Sequence, residues 1–325
     1  MFKALLISDE NEDPQITELS EEQLPKSNVL VKIEYSTLNY KDCLAILHGK
    51  PVIRNYPMIT GIDFCGTVVR SISVDFEPGT EVIMTGFGMG EKFWGGHAEL
   101  ASVDASFLVT VPTGFSMKNT MQCGTAGLTA SFAVLKLMDF GLEPKSGKII
   151  VTGSSGGVGA ISILLLKKLG FDVVAATTKK ENFKFLQNLG VSDIIETSVL
   201  NSSKLLDKQQ WIGGIDTLGS KALAGICACT SAGGAVVACG NAQGMDFPTS
   251  VAPFILRGIT VFGLDSVYRT VTEREKAWAL LADCLSDYDL NMISSEHQFK
   301  DILNLAKQLF ENKVTGRLIL KMRED

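Results

Sequence analysis

Up to about residue 115 the hydrophobic positions fall in short, partly alternating runs at 3–7, 29–35, 61–69, 80–84, 97–103 and 107–111. Pro25, Pro57, Pro78-Gly79 and Pro112-Thr113-Gly114 punctuate them. Short strands bounded by turn residues predict an antiparallel, barrel-like lobe. From about Asn119 the period lengthens. A helix is expected over 120–139, then strands at Ile149-Ile150-Val151 and Val173-Val174-Ala175 alternating with helices at 158–169 and 181–189. Further strands near 193–195, 214–217, 235–238 and 259–262 continue a βαβ rhythm, which predicts a doubly wound parallel sheet. Helices at 273–286 and 299–312 precede a last strand, 317–321, that has no place in the parallel sheet and is expected to return to the first lobe. The expected organisation is a first lobe over 1–120, a doubly wound domain over 121–265, and a return to the first lobe over 266–325.

The strand Lys148-Ile149-Ile150-Val151-Thr152 runs directly into Gly153-Ser154-Ser155-Gly156-Gly157-Val158-Gly159 and then into an apolar helix. Such a turn lets the backbone approach a pyrophosphate at the positive end of the helix, so the segment points to a dinucleotide site. Against GxGxxG, Ser154 fills the first glycine position, and Gly156 and Gly159 fill the others. About twenty residues further on, the second strand ends in Ala176-Thr177-Thr178-Lys179-Lys180, without the acid that reads the ribose of NAD. Hydroxyls and ammonium groups suit a 2′-phosphate, with one or two charge-assisted hydrogen bonds at about 1.5–3 kcal/mol each, so NADPH is the expected cofactor. The competing reading is a solvated helix start in which Glu181 partly cancels the two lysines.

Composition narrows the classes. Thirty Lys+Arg against thirty-six Asp+Glu give a net charge of −6, which argues against a nucleic-acid partner. Two uncharged stretches, 149–166 and 222–245, are broken by Gly and Ser where the period changes, so no membrane span is expected. The N-terminal apolar run is too short for a signal peptide. Seven cysteines with no CxxC pair suggest reduced thiols, and hence a cytoplasmic protein whose cysteines serve as small buried hydrophobes.

Leu38-Asn39-Tyr40-Lys41-Asp42, Gly61-Ile62-Asp63-Phe64-Cys65-Gly66 and Trp94-Gly95-Gly96-His97-Ala98-Glu99 together resemble the medium-chain dehydrogenase/reductase superfamily. Gly124-Thr125-Ala126-Gly127-Leu128-Thr129-Ala130 and the Ser155-Gly156-Gly157-Val158-Gly159 turn resemble its zinc-free, quinone-oxidoreductase-like branch. Ile53-Arg54-Asn55-Tyr56-Pro57, Pro253-Phe254-Ile255-Leu256-Arg257, Gly263-Leu264-Asp265-Ser266-Val267 and Gly316-Arg317 look like segments of the YhdH/YhfP-type group. The resemblance spans the whole chain and implies a Rossmann sheet plus a GroES-like antiparallel β-barrel catalytic lobe. It implies an NADPH-dependent acryloyl-CoA reductase. Zinc-dependent relatives carry Cys-His where this chain has Asn39-Tyr40 and Gly-His-Glu where it has Gly61-Ile62-Asp63, so no metal is expected.

By the same resemblance, Tyr40 and Asn39 are the catalytic candidates, with Tyr40 also at the cofactor. Ser155, Gly156, Gly157 and Val158 are expected at the pyrophosphate, and Thr177, Thr178 and Lys179 at the 2′-phosphate. Thr197, Asn241, Ile255, Ser266 and Asn312 align with further cofactor contacts, although Thr197 brings no charge where close relatives have arginine. His97, Asp42 and Asp63 are expected to be structural or orienting. Arg54, Arg257 and Arg317 could meet CoA phosphates, but the expectation favours solvated arginines. Val261-Phe262-Gly263 resembles the edge strand through which relatives form homodimers. A zinc-free site needs an acceptor that is already electrophilic, such as a C=C conjugated to a thioester carbonyl, which the protein must orient and supply with donors. The alternatives are a quinone or general enal/enone reductase on the same fold and, from another class, a non-catalytic NADPH-binding protein.

Overall fold

The computed structural model describes residues 1–201 and 204–323. The chain divides into two compact units, one built from Met1–Thr125, Val267–Ala282 and the residues from Leu290 on, the other from Ala126–Ser266 and Asp283–Asp289.

In the first unit the chain forms β1 (Phe2–Ile7), β2 (Gln15–Leu19), β3 (Val29–Leu38), α1 (Tyr40–His48), β4 (Met58–Ile59), β5 (Asp63–Ser71), β6 (Glu81–Thr85), β7 (Leu100–Val103) and β8 (Leu108–Thr110). A small antiparallel sheet orders β2-β1-β4, and the long strand β3 pairs antiparallel with both β5 and β7. Alternating inward residues of β3, Val29, Val31 and Ile33, meet Phe64, Val68, Val82 and Met84 in the core. His97 falls before β7 rather than inside a strand. Its backbone N–H donates to Thr60 O at 2.9 Å and its carbonyl accepts from Leu5 at 2.9 Å, so this segment bridges two strands instead of extending one.

α2 (Met117–Asp139) follows and is broken at Gly124, whose φ is 52°. The second unit then runs β9 (Ile149–Thr152), α3 (Gly157–Lys168), β10 (Val173–Thr177), α4 (Phe183–Asn188), β11 (Asp193–Glu196), β12 (Trp211–Asp216), α5 (Ser220–Cys229), β13 (Thr230–Ala238), α6 (Ala252–Arg257) and β14 (Thr260–Gly263). The strands are parallel and ordered β11-β10-β9-β12-β13-β14. Strands buried on both faces read as continuous apolar runs, as Ile149-Ile150-Val151 and Val173-Val174-Ala175-Ala176 do. The order reverses direction between β9 and β12, and α/β sheets bind ligands beyond the carboxyl ends of their strands at such a switch point.

The chain returns through α7 (Val271–Cys284), α8 (Asp287–Ile293), β15 (Ser294–Gln298), α9 (Ile302–Phe310) and β16 (Arg317–Lys321). β16 pairs antiparallel with β3, Leu318 opposite Leu38, and parallel with β15. The last strand thus completes the first unit's sheet, as its apolar pattern without a parallel partner suggested. The sequence pattern does not mark β2, α1, β4, α5, α6, α8 and β15, which are short or polar or, for α5, lie mostly within the uncharged 222–245 stretch with too few turns to show a period. No described helix is long and apolar enough to cross a membrane. The seven cysteines are all unpaired thiols. Burial pushes several of them up, Cys65 and Cys123 to about 12, which suits packing rather than nucleophilic chemistry.

Candidate active site

The second unit gathers one set of expected residues along the carboxyl edge of its sheet. After β9, Gly153 takes φ 57°, and Ser154 Oγ donates to Val151 O at 2.6 Å and to Ala176 O at 3.0 Å, fixing the turn to two strand ends. A Cβ on Gly159 would stand 2.4 Å from Gly153 O, so only glycine lets α3 pack this close to the turn. Gly156, the residue capping α3, is exposed, and a Cβ there would meet only Gly153 O, at 3.2 Å. The first N–H groups of α3 therefore face an open glycine cradle, which suits an anionic group. Beneath it, buried Asp216 accepts from Thr152 Oγ1 at 2.6 Å and from Gly219 N at 2.7 Å, while Thr217 Oγ1 donates to Thr152 O at 3.0 Å.

Ser155 is buried in the turn, with Gly157 and Val158 opening α3. Thr177 ends β10, Thr178 is exposed, and the Lys179 N–H donates to Thr177 Oγ1 at 3.2 Å. Burial lowers the Lys179 ammonium below the usual lysine range. Thr197 follows β11, buried, and its Oγ1 meets no partner among the described residues. Asn241 lies just beyond β13 and Ser266 just beyond β14, where its Oγ accepts from Thr129 at 2.9 Å. Ile255 is 74% exposed on α6, the short helix leading into the start of β14 rather than out of its end. Arg257 anchors the same helix by donating to the carbonyls of Ala228 and Thr230 at 2.9 and 3.0 Å, and to that of Asp207.

The first unit holds Tyr40, Asn39 and Asn312. Tyr40 opens α1, 47% exposed, with its ring stacked over Phe310 at a centroid distance of 6.0 Å. Asn312 has φ 59° just past α9 and donates its N–H to Leu309 O at 3.0 Å, a helix-ending conformation that asparagine tolerates.

Asn39 sits in a buried polar network. Its Nδ2 lies within 3.0 Å of Thr37 Oγ1 and of Asp42 Oδ2, and 3.1 Å from Asp63 Oδ2, while its Oδ1 accepts from Arg317 Nη1 at 3.0 Å. An amide has two N–H donors, and three acceptors already surround them. Asp42 also accepts from the backbone of Asn39 at 2.8 Å and of Ile62 at 2.9 Å. Asp63 takes Thr37 Oγ1 at 2.5 Å and the Thr125 N–H at 2.7 Å. Gly124 is required here, since a Cβ would lie 2.6 Å from Arg317 Nη2 and 2.7 Å from Asp63 Oδ2.

Arg317 corrects an expectation. It is buried at 3% exposure on β16, donating also to Gln122 O at 3.2 Å, and is not a solvated loop arginine. Burial lowers its guanidinium while the nearby carboxylate of Asp63 opposes that shift. No sequence signal placed Arg317 beside Asn39, because 278 positions separate them. Burial, and then the charge of Asp63, push the Asp42 carboxyl up to about 7. His97 is fully buried and pulled down to about 4 by burial. Its Nε2 lies 2.9 Å from the Thr37 carbonyl, which can only accept, so Nε2 carries the proton and Nδ1 accepts from Thr60 Oγ1 at 2.8 Å. Both ring nitrogens are used in holding backbone and side chain together.

A GroES-like lobe with a Rossmann sheet carrying a glycine turn defines an oxidoreductase of the medium-chain type. Residues 25–113 match the family model described as alcohol dehydrogenase GroES-like domain, and 157–283 match that described as zinc-binding dehydrogenase. The chain is 42% identical to "Probable acrylyl-CoA reductase AcuI" of Escherichia coli over 94% of each sequence. It is 39% identical to "Putative quinone oxidoreductase YhfP" of Bacillus subtilis over 99% of each, and the YhfP structure with NAD bound has a TM-score of 0.95. The yhdH oxidoreductase of Salmonella enterica, solved with NADP, is 41% identical with a TM-score of 0.97, covering 99% of this chain and 100% of that one. The chain belongs to the zinc-binding dehydrogenase family, in the branch of AcuI, YhdH and YhfP. In this member Asn39 and Asp63 are engaged in the polar network, and no group of three His, Cys, Asp or Glu residues gathers as a metal site among the described residues.

The two shifted groups have opposite linkage. Asp42, raised from 3.8 to about 7, contributes stability that is present below its unfolded pKa and lost as pH rises through about 7. His97, lowered from 6.5 to about 4, contributes stability that is present above its unfolded pKa and lost as pH falls toward about 4. Between these limits each changes stability by up to roughly 1.4 kcal/mol per pH unit, in opposite senses. Asp42→Asn is therefore expected to steepen the loss of stability on acidification relative to wild type, and His97→Gln to reduce it, as read from urea midpoints across that range. Three parallel pH profiles would refute the assignment.

Proposed function

We propose that the protein is an NADPH-dependent reductase of the C=C bond of a short α,β-unsaturated acyl-CoA, converting acryloyl-CoA to propanoyl-CoA without zinc. The near full-length likeness to AcuI carries the substrate class. The chain's own residues fit the cofactor: an exposed Gly156 cradle at the start of α3, and beyond β11 the buried Thr197 hydroxyl without a partner among the described residues.

Backbone N–H groups of Ser155, Gly157 and Val158 hold the pyrophosphate over the open Cα of Gly156, whose own N–H donates to Gly153 O at 2.9 Å. Thr177, Thr178 and Lys179 hold the 2′-phosphate, and Thr197, Asn241 and Ser266 line the same strand-end rim. The reading leaves out Ile255, which lies on a helix entering the opposite end of β14, and Asn312, whose backbone conformation already has a helix-ending role. When bound, NADPH supplies a hydride for the β-carbon of the conjugated acceptor. Tyr40, exposed at the first turn of α1, donates a hydrogen bond to the thioester oxygen, where negative charge develops, and is the candidate source of the proton for the α-carbon. Asn39 has its donors committed to acceptors within the protein, so it acts as a positioning residue. It starts α1, and Arg317 and Asp63 clamp its amide, which fixes where Tyr40 stands.

β14 is the edge of the parallel sheet, and α6, leading into it, exposes Ile255 and Leu256. An unpaired edge beside an apolar surface suits strand pairing with a second copy, and a cytoplasmic homodimer completes the reading. Sedimentation equilibrium is expected to give twice the chain mass, and Val261→Pro, which removes a backbone N–H from this edge strand, to shift it toward monomer. A wild-type monomer at micromolar concentration would refute the pairing.

The activity test is NADPH oxidation by purified, chelator-treated protein with acryloyl-CoA, crotonyl-CoA and a benzoquinone in parallel. A large kcat/KM preference for acryloyl-CoA is expected. Preference for the quinone would transfer the assignment to the reaction in YhfP's name, and cofactor binding without any turnover would make the protein a non-catalytic NADPH binder. Tyr40→Phe is expected to lower kcat about 10²–10⁴-fold while leaving Tm within a few degrees. Unchanged kcat would remove the phenol from the chemistry.

A further inference from the structure

The sequence places no acid at the end of the second parallel strand, but the fold brings one there from its neighbour. β10 and β11 pair in parallel with Thr177 beside Glu196. Glu196 Oε1 holds Lys180 Nζ at 2.8 Å, both side chains facing water. Thr177 carries the backbone of Lys179 at 3.2 Å, and Thr197 follows Glu196 directly. The lysine pair that suggested a 2′-phosphate site is thus divided. Lys180 is engaged by a carboxylate at the strand end where α/β dinucleotide sites read the ribose 2′ position.

We propose that Glu196 limits the preference of this protein for NADPH over NADH by neutralising Lys180 and placing a negative charge beside the 2′-phosphate position. The inference rests on the cofactor reading above and deepens it. A 2′-phosphate is repelled by this carboxylate and must compete with it for Lys180, whereas ribose hydroxyls can donate to it. Because the pair is exposed, its effect is screened and moderate, on the order of three- to tenfold in affinity. The repulsion and the competition for Lys180 act on the phosphate-bearing ligand alone. A conservative change at an exposed strand end leaves the sheet's core untouched.

Calorimetric titration of the full chain with adenosine 2′,5′-bisphosphate and with 5′-AMP separates the terms without turnover. Glu196→Gln is expected to bind the bisphosphate about three- to tenfold more tightly, with no gain for 5′-AMP, and the gain is expected to shrink at high salt and when Lys180→Met is added. Lys179→Ala is expected to weaken the bisphosphate selectively in either background. If wild type binds the bisphosphate, Lys179→Ala weakens it selectively and Glu196→Gln leaves the ratio of the two affinities unchanged, the role of Glu196 is overturned while the cofactor reading stands. If neither ligand binds to any variant, or Lys179→Ala weakens both equally, the 2′-phosphate assignment itself fails and takes the inference with it.

Discussion

Burying two carboxylates and a guanidinium within one lobe is costly unless every charged edge finds a partner, and breaking one buried ion pair typically costs about 3–5 kcal/mol. Here one amide meets most of that cost, while Arg317 Nη2 has no hydrogen-bond partner among the described residues. Asn39 donates toward Asp42 and Asp63 and accepts from Arg317, so a neutral side chain joins charges of opposite sign. Through it the end of β3, the start of α1, the start of β5, the broken turn at Gly124 and the terminal strand β16 share one fixed arrangement. β16 is held there by two means, its ladder to β3 and the reach of Arg317 into the network. The exposed tyrosine at the head of α1 inherits its position from that arrangement.

The second unit poses the opposite problem: it must leave donors unspent. Ser154, Thr152, Thr217 and Asp216 satisfy the strand ends around the glycine turn, so the turn is rigid without using the helix N–H groups that face the cradle. A preorganised cradle loses less entropy when an anion arrives. The rim's charge pattern is also set by packing between strands, as the pairing of Lys180 with Glu196 illustrates.

Most of the architecture was legible from local pattern. The alternating short runs, the βαβ rhythm, the strand–glycine–helix signature and the partnerless last strand each depend on neighbours in sequence or on the period of burial, and the structure contains all four. Elements such as α6 and β15 escaped because they are too short or too polar to show a period. A lone histidine in this segment reads as a satisfied structural residue, and the two hydrogen bonds of His97 agree with that. Arg317 reads as solvated in the sequence, because an arginine near a glycine gives no sign of the carboxylates that await it in the fold. The apparent lack of an acid beside Thr177 was a fact about one strand only.

The sequence by itself determined the two kinds of layer, the place of the glycine turn and the residue types available at each strand end, since these follow from periodicity and backbone stereochemistry. Only the tertiary structure decided which charges meet. Arg317 reaches Asn39 across nearly the whole chain, and Glu196 reaches Lys180 because parallel pairing sets β11 beside β10. Hydrophobic period is a one-dimensional signal, whereas the energy of a buried or competing charge depends on distance and on the water that packing excludes, neither of which exists until the chain has folded.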